Sequence, residues 1–121
     1  MLHYDLGDCL RSCGNPEGED ADLDRVNFNL AYCGAVLRGY LPEVAPFFSP
    51  FDYRYIYDAV RLIAFELGLR FFSDHLAGDV YFKSRREGQN LHRAMIQFAL
   101  CQSIEAQERE IRKIVEDFQK L

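Results

Sequence analysis

Tryptophan is absent from this 121-residue chain, methionine occurs only twice, and cations are few, with 14 Lys and Arg against 19 Asp and Glu. No apolar run approaches the roughly 20 residues that cross a bilayer. The N-terminus has neither the basic region nor the apolar core of a secretory signal peptide. Because the formal net charge of −5 repels phosphate backbones, nucleic-acid binding is also disfavoured. The sequence therefore predicts a cytoplasmic protein with no membrane or nucleic-acid partner.

Apolar and aromatic residues are abundant. Hydrophobic residues make up 49% of the chain, and ten Phe and seven Tyr are many for this length. A chain of this size buries roughly two-thirds of the surface that its unfolded form exposes, which is enough for one core. We therefore predict a single domain over residues 1–121, with aromatic surface to spare for a partner.

The four cysteines, Cys9, Cys13, Cys33 and Cys101, have no secretory context and are expected to be reduced. Cys9 and Cys13 are one helical turn apart, and together with His3 they could offer a metal three ligands. Zinc sites more often use tighter pairs such as C-x-x-C, and no second pair exists. Packing cysteines are the favoured interpretation, and no metal site is predicted.

Helical spacing dominates the first half of the chain. Residues 5–13 predict a short helix, and the five carboxylates of residues 17–24 predict a solvated loop. Brief alternation over residues 26–30 predicts one extended turn, followed by a helix over residues 30–40 that ends ahead of Pro42.

A strong helix start follows at Ser49, where a capping hydroxyl precedes Pro50 and a carboxylate, Asp52, stands three residues after the cap. Apolar spacing continues to Gly78, which can supply the left-handed conformation that ends a helix. This helix should exceed twenty residues.

The C-terminal third has helical period from Leu91 almost to the end, which predicts one long terminal helix. Two pairs at i, i+4 should support it, namely Glu105 with Arg109 and Glu108 with Arg112. The predicted fold is an all-α helical bundle with two long antiparallel helices, joined across residues 78–88, and shorter N-terminal helices.

Motifs for phosphate chemistry are missing. No G-x-x-x-x-G-K-[ST] loop is present, and His3, His75 and His92 lie in no hydrolase motif. The triplet from His3 to Asp5 has the form of a kinase base motif, but the asparagine expected five residues after the aspartate is replaced by Leu10. Asp5 is therefore interpreted as bracing a loop or capping a helix, as is Asp8, and no catalytic residue is predicted.

Two segments nevertheless resemble a known family. FELGLRFFSDHLAGDVYFK, residues 65–83, and LHYDLGDCLRSCGNPEGED, residues 2–20, are similar to the C-terminal part of the N-acetylhexosamine 1-kinases, relatives of aminoglycoside and choline kinases. The resemblance implies the C-terminal helical subdomain of a kinase-like fold. It also implies that Met1 follows the catalytic base and the metal-binding aspartate, so that ATP and Mg²⁺ belong to the full-length family and this chain alone is inactive.

The same resemblance implies that Arg70 and Tyr81 line the pocket for an amino sugar such as N-acetylglucosamine or N-acetylgalactosamine. The alternative is that Glu66, Arg70 and Asp74, each four residues apart, form a solvated ion-pair ladder while Tyr81 packs in the core. Asp79 and the basic residues are secondary candidates near the same pocket, the latter being Lys83, Arg85, Arg86 and Arg93. A second function, different in class, is a free-standing helical module that self-associates through uncovered apolar stripes.

Overall fold

The structure is a computed structural model that describes residues 2–16, 18 and 22–120, with the side chains of residues 2 and 3 excepted. The described residues form five α-helices and no β-strand. The helices are α1 (Leu2–Cys13), α2 (Leu30–Val44), α3 (Pro50–Ala77), α4 (Gln89–Ala106) and α5 (Glu108–Gln119). The all-α fold class is therefore confirmed. None of the described helices combines the length and the apolar character needed to cross a membrane.

Helix α3 begins and ends as its sequence predicts. The Ser49 hydroxyl accepts the backbone amide of Asp52, and the Asp52 carboxylate accepts the amide of Ser49 at 2.8 Å. Gly78 then adopts φ 94° and ψ 28°, a left-handed conformation that costs glycine little, and its amide bonds back to the carbonyl of His75. These two signals fix a helix of 28 residues.

Helices α3 and α4 pack antiparallel, as predicted. Contacts run in opposite chain order, from Asn90 against Asp74 to the Cys101 thiol, which donates to the carbonyl of Arg61. Helix α1 crosses α3 at close range, because a Cβ on Gly7 would lie 2.7 Å from the Cβ of Ala59. The core lies between α1, α2, α3 and the two C-terminal helices, and its fully buried members include Leu6, Leu10, Phe28, Leu37, Ile56, Val60, Leu100, Ile104 and Ile111.

The predicted single terminal helix is wrong, because Gln107 separates α4 from α5 with φ −110° and ψ 19°. The side-chain amide of Gln107 donates to the carbonyl of Phe28 at 3.0 Å and to the Ser103 hydroxyl at 3.1 Å. This tertiary link holds the bend, and α5 packs against α2 and α3 instead of continuing α4. Of the two predicted ion pairs, Glu108–Arg112 is present at 2.8 Å, but Glu105 pairs with Arg61 across the helix interface.

The extended turn predicted before α2 is confirmed, because Val26 and Asn29 have extended backbones, with ψ 118° and ψ 106°. Phe28 between them is buried, and its amide donates to the Ser103 hydroxyl at 2.8 Å. Helix α2 ends later than predicted, at Val44 rather than ahead of Pro42. The proline lies exposed in the last turn, while Leu41 and Val44 in the same turn are buried in the core. Most of the acidic loop, residues 17 and 19–21, lies outside the described residues.

Candidate functional site

A buried carboxylate organises the end of α3. Asp74 is only 6% exposed, and its oxygens accept the backbone amides of Tyr81 at 2.7 Å and Phe82 at 2.9 Å. The side-chain amide of Asn90, at the start of α4, donates to the same carboxylate at 3.1 Å. One side chain on α3 therefore fixes both the loop that follows α3 and the start of the next helix.

The Asp74 carboxyl is held in its ionised form. Burial disfavours the charge, but the amides of Phe82, Tyr81 and Val80 donate hydrogen bonds that outweigh burial and lower the pKa of Asp74. Asn90 also donates to Asp79 at 3.0 Å, and Asp79 has a left-handed backbone, with φ 63°. The loop after Gly78 is thus held by charge-assisted hydrogen bonds and by the packing of Phe82 on the buried Phe71, whose ring centre lies 4.4 Å from that of Phe82.

Arg70 lies one helical turn before Asp74 and faces the aromatic side chains that Asp74 positions. Its guanidinium carbon is 5.7 Å from the ring centre of Tyr81 and 5.6 Å from that of Phe82. The two rings meet edge to face, with centres 4.9 Å apart. Both distances lie within the range of cation–π attraction, so the rings hold the cation without neutralising it.

This group lines an open depression of about 450 Å³. Tyr81 is 73% exposed, so most of its surface is available to a ligand. The volume falls within the ordinary range for small-molecule sites, although those are usually more enclosed. The walls are apolar, aromatic and polar in turn, formed by Leu69, Arg70, Ser73, Asp74, Ala77, Tyr81 and Phe82.

A second depression, of about 280 Å³, shares Arg70 with the first. It is more polar, because the Tyr4 hydroxyl donates to the Glu66 carboxylate at 3.1 Å and the largely buried Arg11 pairs with Asp8 at 3.0 Å. The hydrogen bond to Glu66 raises the pKa of Tyr4. Arg70 thus stands between an aromatic surface and a surface rich in carboxylates.

The sequence-predicted residues Arg70 and Tyr81 therefore lie side by side, and the ion-pair ladder is wrong in its main features. Asp74 is committed to loop amides, Glu66 accepts from Tyr4, and Tyr81 is exposed instead of packed in the core. That Arg70 and Tyr81 bind a sugar stays a prediction.

Arg93, one of the secondary candidates, has other partners. Arg93 donates to the carbonyl of Lys83 at 2.8 Å and to the side chain of Asn90 at 2.9 Å, so it closes the loop rather than facing a ligand. Asp5 lies in the first turn of α1, where a carboxylate interacts favourably with the helix dipole. The side chain of His3, which was considered above as a metal ligand, is not among those that the structure describes.

The cysteines divide into two pairs. Cys33 and Cys101 are buried, and burial raises the pKa of each thiol to about 11. Cys9 and Cys13 are exposed, with their sulfurs 3.8 Å apart. Within the described part of the chain, no cluster of three or more His, Cys, Asp or Glu side chains is arranged to hold a metal ion.

Sequence reasoning missed the two residues that build the site around Arg70, namely Asp74 and Phe82. A signal for Asp74 was available, since a carboxylate in the last turn of a helix opposes the helix dipole and implies a specific partner. Phe82 had no such signal, because its contact with Arg70 depends on the path of the loop.

No model of a known protein family matches the chain. The resemblance of residues 65–83 to N-acetylhexosamine 1-kinases therefore stays a prediction.

Proposed function

We propose that the surface around Arg70 is the sugar-binding wall of an N-acetylhexosamine 1-kinase-like phosphotransferase, of which this chain is the C-terminal helical part. The single observation that carries the proposal is the contact of Arg70 with Tyr81 in one open depression. Sugars offer hydroxyl groups to charged donors and C–H faces to aromatic rings, and this depression presents both kinds of group.

The adjoining polar depression supports the same ligand class. Hydroxyl groups need acceptors as well as donors, and Glu66 and Asp8 supply carboxylate oxygens on the other side of Arg70. A monosaccharide seated on the Tyr81 ring would extend toward these carboxylates. An openly accessible half-site fits weak binding in the millimolar range, which corresponds to about 4 kcal/mol.

The direct test is a titration of ¹⁵N-labelled protein with N-acetylglucosamine and N-acetylgalactosamine, followed by NMR. Amides of residues 69–82 should shift in a saturable way, and Tyr81→Ala and Arg70→Ala should each weaken binding about tenfold or more, or 1.4 kcal/mol. Lys113→Ala removes an exposed cation on α5, outside both depressions, and as the control it should bind normally. Absence of saturable shifts for both sugars, or normal binding by Arg70→Ala, would overturn the proposal.

Phosphoryl transfer is expected to need residues that this sequence lacks. Positioning of metal ions and phosphates supplies most of the catalysis in such reactions, and the chain has no motif for either. With ATP, Mg²⁺ and N-acetylglucosamine, the chain should therefore form no sugar 1-phosphate. Robust turnover would contradict the assignment of this chain to the sugar-binding wall alone.

A second candidate function, self-association, is favoured by a different observation on α3. Five large apolar side chains at alternating spacings of three and four are 38–70% exposed, namely Leu62, Phe65, Leu69, Phe72 and Leu76. This spacing is typical of the apolar seam of a coiled coil, which packs against another helix with the same repeat. We propose that two copies of the chain pair through this seam.

The area of the seam is sufficient for a small dimer interface. If a large side chain presents about 200 Å², the five expose on the order of 500 Å², so pairing buries roughly 1,000 Å² over two copies. That is about the lower limit for a specific interface. Leu69 also lines the depression beside Arg70, so dimerisation and sugar binding would share one wall.

Sedimentation velocity over a range of concentrations tests the seam. The wild type should show a reversible dimer at high micromolar concentration, and Leu69→Glu with Phe72→Glu should abolish it. Phe47→Glu removes an exposed aromatic off the seam and should leave the dimer intact. A wild type that stays monomeric at several hundred micromolar would exclude this candidate.

A further inference from the structure

Two exposed thiols stand together on α1, and neither lines the depressions beside Arg70. Cys9 and Cys13 are one helical turn apart, and their sulfurs are 3.8 Å from each other. Neither proposed function uses them. Cys33 and Cys101, in contrast, are buried among core side chains.

The Cβ atoms of Cys9 and Cys13 are too far apart for a disulfide. A disulfide needs Cβ atoms about 3.5–4.5 Å apart, whereas residues at i and i+4 of a helix have Cβ atoms about 5–6 Å apart. Oxidation to an internal disulfide would therefore require α1 to unwind at its last turn.

The distance between the two sulfurs, in contrast, is right for a shared metal ion. Two sulfurs each about 2.3 Å from a tetrahedral zinc ion are roughly 3.8 Å apart, because the bonds enclose the tetrahedral angle. The Cys9 and Cys13 sulfurs already stand at that distance. No movement of the helix is needed to bring the second ligand into place.

We propose that Cys9 and Cys13 bind one thiophilic divalent cation of the Zn²⁺ class through two thiolates. Each thiol loses its proton, so that one cation and two thiols give the bis-thiolate complex and two protons. The two ligands leave two coordination positions for solvent or an exchangeable ligand, which distinguishes this site from closed structural zinc sites.

Proton release makes the binding depend on pH. A thiol is ordinarily protonated at pH 6–7, so both thiols lose a proton when the cation binds. Because two protons leave per cation, the apparent association constant should rise by up to about 100-fold between pH 6 and pH 7.

The test is a titration of the reduced full chain with Cd²⁺ under argon, followed by ultraviolet thiolate-to-metal absorption. The band should saturate at one cation per chain, and Zn²⁺ should remove it by competition. Cys9→Ser and Cys13→Ser should each lower the affinity at least tenfold, whereas Cys101→Ser should not. Circular dichroism would establish that each serine variant is folded.

Absence of the band, or a band of undiminished affinity in the folded Cys9→Ser and Cys13→Ser variants, would overturn the proposal. A band lost in Cys101→Ser alone would do the same, because it would place the ligand at the buried thiol.

Discussion

The carboxylate of Asp74 accepts the backbone amide of Tyr81 at 2.7 Å. This bond connects the last turn of α3 to the loop that carries the aromatic side chains. Because Arg70 stands one turn earlier on the same helix, the bond also sets the distance between the guanidinium and the Tyr81 ring. The conformation of the candidate sugar surface therefore depends on Asp74, whose carboxylate accepts hydrogen bonds from the loop.

Replacing Asp74 by Asn should lower the midpoint of thermal unfolding at pH 7 by several degrees. The amide nitrogen of Asn cannot accept the loop amides, and one buried donor is left without a partner. Asp117→Asn, which removes an exposed carboxylate paired with Lys113, should have little effect and serves as the control.

The difference between wild type and Asp74→Asn should depend on pH. The pKa of Asp74 is lowered in the folded protein, so its stabilisation is fully present above the unfolded value of about 3.9 and is lost as the pH falls through the lower folded value. Unfolding midpoints measured from pH 7 to pH 2 should converge below about pH 4. A constant difference over that range would contradict this account.

The parts of the fold that could be predicted from sequence are those determined by neighbouring residues. The capping box of Ser49 and Asp52 and the left-handed Gly78 need only a few residues to form, and both ends of α3 follow from them. The break at Gln107 could not be predicted this way, because the carbonyl that Gln107 contacts belongs to Phe28, which is 79 positions earlier.

The same distinction holds for the candidate site. Only the resemblance predicted that Arg70 and Tyr81 share a pocket, and the left-handed Gly78 that lies between them brings the two side chains together. Glu105, in contrast, was matched with Arg109 by spacing alone, and its actual partner is Arg61 on another helix. Long-range pairing of this kind depends on how helices pack, which local periodicity does not determine.

Two glycine substitutions should change stability in opposite directions. A Cβ on Gly7 would lie 2.7 Å from the Cβ of Ala59 and 3.0 Å from its carbonyl carbon, so Gly7→Ala should destabilise by about 1–3 kcal/mol as α1 and α3 move apart. A Cβ on Gly34, inside α2, meets no atom within 4 Å, so Gly34→Ala should stabilise by about 0.5–1 kcal/mol.

Urea denaturation of both glycine variants measures these changes directly. A stabilising effect of Gly7→Ala would show that the close approach of α1 and α3 is not limiting, and a destabilising effect of Gly34→Ala would show that backbone entropy does not decide the outcome there.

The buried thiols should react slowly with a disulfide reagent such as 5,5′-dithiobis(2-nitrobenzoate). Burial raises the pKa of Cys33 and Cys101 to about 11, so at pH 8 few thiolates form and those are inaccessible. Native protein should show two rapid equivalents, from Cys9 and Cys13, and two more only on unfolding. The double variant Cys9→Ser with Cys13→Ser should show no rapid equivalents.

These raised values also predict a loss of stability in alkali. A thiol whose pKa is higher in the folded state stabilises the protein below the unfolded value of about 9, and that stabilisation is lost as the pH rises toward about 11. Cys101→Ser should weaken this dependence of stability on pH. Equal alkaline sensitivity of Cys101→Ser and wild type would assign the effect to other groups.

Arg112 should anchor α5 after the break at Gln107. Its guanidinium carbon lies 4.6 Å from the ring centre of Tyr57, and its nitrogens contact Glu108 at 2.8 Å, Asp58 at 3.4 Å and the carbonyl of Arg54 at 3.3 Å. Because Arg112 is partly exposed, its replacement by Ala should cost only about 1 kcal/mol globally. Locally, amide hydrogen exchange should accelerate over residues 108–119 while α3 stays protected.

Lys113→Ala is the matched control for Arg112→Ala, since Lys113 is the next residue on α5 and its 3.6 Å pair with Asp117 stays within the same helix. That variant should change stability by less than about 0.5 kcal/mol and should not alter exchange over α5. If both variants accelerate exchange equally, α5 is held by helix propensity and the apolar contacts of Ile111 and Val115 rather than by Arg112. If Arg112→Ala alone does so, the contacts of this arginine with α3 keep the last helix in place.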